Sequence, residues 1–142
     1  EVIQVDINYP GYNPDLVTDV FTLLEENDIS IDLISQIEDE GKSHYSFTTK
    51  AEDRKRLTKY MISLQDEYSD IAISLNEDYV KVSIIGAGMM EAPGVISQIY
   101  KTIIKNNMRI HQISTSGISI SCLVDKKDGN DIARLLSEEF GL

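Results

Sequence analysis

The segment with the clearest potential for binding chemistry is a glycine-rich stretch between an apolar strand and a predicted helix. Residues 82–95 read VSIIGAGMMEAPGV. Glycines let the backbone approach a ligand closely. A helix that begins near Pro93 offers free N–H groups and the positive end of its dipole. Such a helix start favours an anion, either a phosphate or a carboxylate.

The residue at the third position of this loop argues against a phosphate. A dinucleotide-binding fingerprint needs small residues in the spacing G-x-G-x-x-G/A. Gly86 and Gly88 fit the first two positions, but the third is Glu91, whose carboxylate repels a pyrophosphate. No Gly-Lys-Ser/Thr follows, so the pattern of a Walker loop is absent as well. We therefore favour the carboxylate of a small amino acid, with strand carbonyls accepting from its ammonium group.

The remaining reactive residues do not form a pattern typical of catalysis. His44 and His111 have no acidic partners at metal-ligand spacing, and we interpret both as residues of strand surfaces. Cys122 is predicted to be a small apolar core residue. No Ser/His/Asp or Cys/His arrangement is identifiable. We therefore predict no catalytic residue and no metal site, and expect this chain by itself to catalyse nothing.

Composition and charge limit the class of partners. The chain has 142 residues, of which 42% are hydrophobic, so it can form a core in one domain or two small ones. Its net charge of −11, without a cluster of basic residues, argues against nucleic acid. No apolar run approaches the roughly 20 residues of a membrane helix. The single cysteine suits a reducing compartment, so we expect a cytoplasmic protein.

The chain contains an internal repeat of domain size. With a shift of 79 residues, Pro14 aligns with Pro93 and Asn27 with Asn106, and no gap is needed over residues 14–36. Farther on the shift becomes 75, so the first copy carries four extra residues near 38–41. A hairpin loop tolerates such an insertion. A period this long indicates two copies of one small domain.

Both copies predict the same order of elements. In the first copy the strands are 2–7, 29–37, 44–49 and 71–75, and the helices are 15–27 and 51–68. In the second copy the strands are 79–85, 108–115 and 118–125, and the helices are 92–106 and 128–140. The order βαββαβ predicts two ferredoxin-like α+β domains, 1–77 and 78–142, with antiparallel sheets and helices on one face.

The second copy ends without a fourth strand. An uncovered sheet edge is a liability, because its backbone groups can pair with other chains. We expect the missing strand to come from residues upstream of Glu1, or a partner chain to cover the edge. No signal peptide precedes the first strand, and we interpret the start at Glu1 as a cut.

Two segments of the second copy resemble a known family. Residues 86–95 (GAGMMEAPGV) and 110–116 (IHQISTS) resemble the tandem ACT domains that end bacterial aspartate kinases. The resemblance covers the whole chain and is looser in the first copy. It implies a regulatory region that senses lysine and/or threonine and controls the biosynthesis of aspartate-family amino acids by feedback inhibition. In that family the first ACT unit is inserted into the second, which agrees with the missing strand.

The resemblance also implies effector contacts in both copies, at the start of the first helix and around the second strand. In the first copy they are Asn13, Pro14, Asp15, Val17, Ser30, Ile31, Asp32 and Gln36. In the second copy they are Ala92, Pro93, Gly94, Ile96, Arg109, Ile110 and Ser116. The chain departs from the family pattern at Tyr12, Asp15, Ser30, Arg109 and Gly117. The charge of Asp15 opposes a carboxylate at the first helix start.

The same resemblance implies the partners. ACT units in such proteins pair side by side between subunits with effectors at the junction, which implies a homodimer. The other partner is the catalytic domain of aspartate kinase, an ATP:L-aspartate 4-phosphotransferase. No cofactor is implied beyond the amino-acid effector, lysine or threonine. Two alternatives stay open: a structural dimerisation module whose effector sites have decayed, and the ACT pair of another amino-acid metabolic enzyme.

Overall fold

The computed structural model describes residues 1–86 and 93–141 and divides the chain into two compact units. The first unit is Glu1–Glu77 and the second is Asp78–Leu142. Strand β4 (Ala72–Ile85) contributes its first residues to the first unit and the others to the second.

The first unit is built from a sheet and two helices. Its elements are β1 (Val2–Tyr9), α1 (Pro14–Glu26), β2 (Ile34–Asp39), β3 (Lys42–Lys50), a 3-10 turn (Ala51–Asp53), α2 (Arg54–Glu67) and the beginning of β4. The strand order is β2-β3-β1-β4. β3 pairs antiparallel with both β1 and β2. The order of elements is the predicted βαββαβ.

The second unit repeats most of this plan. After β4 come α3 (Val95–Lys105), β5 (Ile110–Thr115), β6 (Ser119–Asp125), a 3-10 turn (Lys126–Asp128) and α4 (Gly129–Phe140). The strand order is β4-β6-β5, and both pairings are antiparallel. Within the described ranges, this unit therefore has three strands where the first has four.

Each unit has its own hydrophobic core, built from alternating strand residues and one stripe of each helix. In the first core Ile3, Val5 and Ile7 of β1 alternate with polar residues, and the helices add Leu16, Val20, Leu24, Leu57, Met61 and Leu64. In the second core the strands contribute Ile84, Ile120, Cys122 and Val124, and the helices contribute Val95, Ile99, Ile103, Ile132 and Leu136. Each fully buried aliphatic side chain stabilises its unit by about 2 kcal/mol.

The second strand of each copy begins later than the sequence predicts. β2 begins at Ile34 instead of residue 29, because the N–H of Ile29 closes the C-terminal turn of α1 by donating to the Leu24 carbonyl at 2.9 Å. β5 begins at Ile110 instead of residue 108, because Met108 donates to the Ile103 carbonyl at 3.1 Å in the same way. The apolar residues that suggest strand here belong to helix caps.

Helix α3 is shorter than the predicted 92–106. It runs from Val95 to Lys105, with Gly94 as its N-cap and Pro93 one residue before the cap. Ile96 is 43% exposed, because it lies one residue beyond the buried Val95 and turns away from the core.

Candidate functional site

The start of α3 is the feature closest to the predicted carboxylate site. Gly94 caps the helix in the left-handed conformation, with φ of 92°, and no side chain within residues 1–86 and 93–141 caps it in addition. Its carbonyl accepts from the Gln98 N–H at 2.9 Å. Pro93, Gly94 and Ile96 are exposed, and Ala92 lies outside the described residues. Among the described residues, the first-turn N–H groups of α3 therefore have no side-chain cap, and they follow a backbone conformation that favours glycine.

The start of α1 differs, although it is the equivalent position in the first copy. The side-chain oxygen of Asn13 accepts from the N–H groups of Asp15 at 3.0 Å and Leu16 at 3.4 Å. Pro14 has no N–H, and Val17 donates to the Asn13 carbonyl at 3.3 Å. The chain itself therefore uses the donors of this first turn, and the exposed carboxylate of Asp15 adds negative charge.

In the first copy, the predicted contacts at the second strand lie in the link between α1 and β2. Ser30 and Asp32 are exposed, and Ile31 packs partly against the first core. The N–H of Asp32 donates to the Thr48 carbonyl at 2.9 Å. Ser30 and Ile31 line a cavity of about 260 Å³ together with Phe21, Leu24, Glu25, Asp28 and Ile29.

In the second copy the corresponding residues are Arg109 and Ile110. Arg109 is exposed, and Ile110 packs partly against the second core. Arg109 stands where the first copy has Ser30, so the two copies differ in charge at this corner.

Sequence reasoning missed the contacts of the two histidines. His111 Nε2 lies 2.8 Å from Asp125 Oδ1, and the His111 ring stacks on Tyr79 with centroids 4.2 Å apart. His44 Nε2 lies 3.1 Å from Asp6 Oδ1. Each histidine thus contacts a carboxylate from another strand of its own unit. For His111 the spacing of the neighbouring apolar residues is a signal. Ile110 and Ile113 both pack on the second core, yet they are three residues apart. A regular strand turns every second residue to the same face, so this spacing indicates an irregularity in the strand at His111.

Ser116 and Gln36 take part in local hydrogen bonds. Ser116 Oγ accepts from the N–H groups of Ile118 at 3.4 Å and Ser119 at 3.1 Å, and so supports the β5–β6 turn. Gln36 is exposed on β2 and donates to Glu38 Oε1 at 3.2 Å. Neither side chain contacts another predicted effector residue through these bonds.

The structure divides the predicted effector residues between the two ends of each unit. In the second unit Ile85 at the end of β4 pairs with Ser119, whereas Ile110 at the start of β5 pairs with Val124 at the other end of β6. Helix α3 leads from the first end to the second. The eleven residues of α3 span about 17 Å, so Gly94 before the helix and Arg109 after it lie at opposite ends of the unit. One unit by itself does not bring both groups to one ligand.

A polar groove adjoins the start of α3. Gly94 lines a cavity of about 740 Å³ between α3 and α4, whose charged residues are Lys101, Lys105, Glu138 and Glu139. Among the described residues, no group of three or more His, Cys, Asp or Glu could hold a metal ion. None of the described helices is long and apolar enough to cross a membrane.

Among known proteins, the chain is similar to an ACT domain family and to aspartokinases. Residues 82–140 match the ACT domain family model. The chain is 31% identical to Aspartokinase 2 of Bacillus subtilis (strain 168), a match covering 87% of this chain and 30% of that protein. It is 35% identical to the aspartokinase of Helicobacter pylori (strain ATCC 700392 / 26695), over 91% of this chain and 32% of that one. The chain thus spans about a third of the length of these curated relatives.

Solved structures share the fold. One described as aspartokinase alpha and beta subunits is 30% identical, with a TM-score of 0.84, over 98% of this chain and 93% of that one. The ligand-free regulatory subunit of aspartate kinase from Thermus thermophilus has a TM-score of 0.88 over 99% and 93% of the two chains, and its 23% identity supports the fold alone. The predicted ACT fold is confirmed.

Proposed function

The chain belongs to the ACT-domain regulatory regions of aspartokinases, and on this premise we propose that it binds a free amino acid as an allosteric effector. The proposed effectors are lysine and/or threonine, and the proposed role is feedback inhibition of an aspartokinase that phosphorylates aspartate. We propose that this chain has a regulatory and not a catalytic part in that reaction. Its contribution is to sense the amino acid and to report its presence.

The observation that carries this proposal is the start of α3 at Gly94, which no side chain in the described part of the chain caps. A carboxylate placed beside Gly94 would accept hydrogen bonds from first-turn N–H groups and would lie at the positive end of the helix dipole. Charge-assisted hydrogen bonds of this kind are about twice as strong as neutral ones. Because every amino acid carries a carboxylate, this contact sets the ligand class, and the identity of the amino acid depends on what surrounds its side chain.

A second copy of the chain completes the proposed site. The residues implied at the helix starts and those implied at the strand starts lie at opposite ends of each unit, so both sets can reach one effector only if two units come together. The edge strand β2 favours such pairing, because Ile34 and Ile37 are 54% and 57% exposed on it. We therefore propose a homodimer in which ACT units lie side by side.

The regulatory mechanism follows from this arrangement. An effector that contacts two subunits binds one arrangement of the dimer more tightly than another, and that difference in affinity shifts the population. The shift would reach the catalytic domain as a coupling free energy, typically about 1–3 kcal/mol. We propose the catalytic domain of an aspartokinase as the partner that receives it.

A structural role for the first unit is the second candidate. Asn13 caps α1 through the N–H groups of Asp15 and Leu16, so this helix start offers no equivalent set of donors. In this version the first unit supports the dimer, and only the second unit binds an effector.

Two matched substitutions test the proposal. Ser97→Asp places a carboxylate in the first turn of α3, and Thr18→Asp places one at the exposed position of α1 that aligns with Ser97 in the repeat, just after the first turn. An acidic residue in a first turn stabilises a helix, and an exposed substitution away from a cap changes stability little, so both variants should fold. In calorimetry with L-lysine and L-threonine, Ser97→Asp should weaken binding by at least about tenfold, or about 1.4 kcal/mol, and Thr18→Asp should leave it unchanged.

Two results would contradict this function. If neither amino acid binds to the dimeric protein at millimolar concentration, the sensing function fails. If Thr18→Asp abolishes binding while Ser97→Asp does not, the effector site belongs to the first unit instead of the second.

A further inference from the structure

The links that follow α1 and α3 share one backbone conformation. We call residues 25–31 the α1 corner and residues 104–110 the α3 corner. Asp28 and Asn107, which the repeat aligns, both have a left-handed backbone, with φ of 59° and 62°. The next N–H group of each corner closes the helix end by donating to a carbonyl five residues earlier, at 2.9 Å in the first copy and 3.1 Å in the second. The two corners therefore present their side chains from the same scaffold.

These matched corners carry opposite charge. The acidic residues of the α1 corner are Glu25, Glu26 and Asp28. The α3 corner has no acidic residue and carries two basic ones, Lys105 and Arg109. All five residues are exposed, so their charges can contact a ligand. Two corners of the same backbone therefore favour ligands of opposite charge.

The negative charge of the α1 corner adds to that of the helix end. The C-terminal end of a helix carries a partial negative charge, which basic residues complement. Helix α3 follows this rule, since Lys105 lies in its last turn. Helix α1 has no basic residue in its last turn and ends in Glu25 and Glu26. These acids do not stabilise the helix that carries them, and a bound cation would relieve their repulsion.

A basic residue of α2 reaches the α1 corner but has its own acidic partner. The Arg56 guanidinium donates to the Asn27 carbonyl at 2.6 Å, and it is also paired with Asp53, whose side chain is 8% exposed. At the position that aligns with Arg56, the second copy has Asp131, which pairs with Arg134 at 3.4 Å. Each of these pairs is close to neutral, so the difference in charge between the two corners persists.

The cavity at the α1 corner suits an aliphatic chain that ends in a cation. It has a volume of about 260 Å³, its apolar lining comes from Phe21, Leu24 and Ile29, and its acidic residues are Glu25 and Asp28. The first-copy residues proposed for effector binding at the strand start line the same cavity. A side chain with an apolar stem and a terminal ammonium could pack the stem on the apolar lining and place the ammonium beside the acids.

We infer that the charge of the two corners selects the effector by its side chain. The α1 corner accepts a cationic amino acid such as lysine. Arg109 repels cationic side chains from the α3 corner and leaves it to uncharged ones such as threonine. Specificity then comes from repulsion at one corner as well as attraction at the other. The inference rests on the proposed function, because it assigns a class of side chain to each strand start of that site.

Calorimetry with L-lysine, L-norleucine and L-threonine tests the α1 corner. Norleucine has the aliphatic stem of lysine without the ammonium, so the unmodified chain should bind lysine at least about threefold more tightly than norleucine. Asp28→Asn gives the α1 corner the residue that the α3 corner has at the same φ, so it should fold. It should weaken lysine binding about threefold and leave norleucine unchanged.

Exchanging the residues at the third aligned position gives a stronger test. Ser30→Arg places a cation in the α1 corner and should weaken lysine binding at least about tenfold, with less than about a twofold effect on threonine. Arg109→Ser should raise the affinity for lysine relative to threonine at least about threefold. The control is Gln65→Arg, which adds the same charge at an exposed position of α2 outside both corners. It should leave all three affinities unchanged.

The possible failures are distinguishable. If lysine and norleucine bind equally, or if Ser30→Arg and Gln65→Arg have the same effect, the charge of the corners does not select the effector. The inference is then wrong, although the chain still senses amino acids. If none of the three amino acids binds, the proposed function fails and the inference fails with it.

Discussion

The phenol of Tyr68, just after α2, donates a hydrogen bond of 2.5 Å to Asp19 Oδ2 in the middle of α1. The two residues are 49 positions apart and hold the end of one helix against the other. The bond to Asp19, with a smaller effect of burial, raises the pKa of the Tyr68 phenol well above its usual range. The neutral phenol is therefore the form that the folded first unit favours.

Replacing Tyr68 with Phe tests this contact. At pH 7 the free energy of unfolding should fall by less than about 1 kcal/mol, because the side chain is only partly buried and its bond is partly screened. The stabilisation that accompanies the raised pKa is fully present below the pKa of the phenol in the unfolded chain, about 10. It is lost as the pH rises from there through the pKa of the phenol in the folded chain. In urea unfolding, the free energy of unfolding should fall more between pH 7 and pH 10.5 in the unmodified chain than in Tyr68→Phe. The same loss in both would contradict the assignment.

Asn27 and Asn106 occupy equivalent positions, at the C-terminal ends of α1 and α3. Asn27 Oδ1 accepts a bond of 2.5 Å from the Tyr60 hydroxyl, whereas Leu135 stands at the position of Tyr60 in the second copy. Both amides also donate to their own helix, Asn27 to Leu23 and Asn106 to Thr102, each at 2.7 Å. Asn27→Ala should therefore destabilise the chain by about 1 kcal/mol more than Asn106→Ala. Thermal unfolding measures the difference, and equal effects would show that the Tyr60 bond contributes nothing.

Gly129 lets the start of α4 lie close to Val80 of strand β4. A Cβ atom at this position would lie 2.6 Å from Val80 Cγ2 in the neighbouring strand β4. We expect Gly129→Ala to cost about 1–3 kcal/mol of stability through overpacking. Gly117→Ala is the control, because a Cβ atom there meets no other atom within 4 Å. Adding Val80→Ala to Gly129→Ala should recover part of the loss; no recovery would point to a different cause.

Cys122 is predicted to be unreactive in the folded chain. It is 1% exposed in the second core, and burial raises the pKa of its thiol to about 11. The thiolate is the reactive form, so a thiol reagent at pH 8 should react with the unfolded chain and scarcely with the folded one. The raised pKa stabilises the fold below the unfolded value of about 8.5 and ceases to do so as pH rises through 11. Rapid labelling without denaturant would contradict this.

Much of the fold could be predicted from the sequence because its signals are local. Val95, Ile99 and Ile103 recur at the helical period and are buried, and the buried Cys122 confirms the interpretation of a core residue. The repeat placed the four extra residues of the first copy near 38–41, and the structure has them at the β2–β3 hairpin. The strand starts were wrong, because an apolar residue such as Ile29 closes a helix cap as readily as it begins a strand.

The candidate site was only partly predictable. The sequence indicated a helix start near Pro93, since the loop has recognisable glycines and a proline, but it placed the start at residue 92, whereas the helix begins at Val95. It did not indicate that Asn13 occupies the donors of the equivalent helix in the first unit, which depends on the cap conformation of the backbone.

By itself, then, the sequence determined the repeated unit, its order of elements and most of its core, because hydrophobic period and cap residues act over a few positions. The tertiary structure alone decided which side chains meet. His111 reaches Asp125 and Tyr79 because strand register and one bulge bring three strands together, and Gly94 and Arg109 lie apart because antiparallel strands carry neighbouring segments to opposite ends. Contacts of this kind depend on register, which no local pattern specifies.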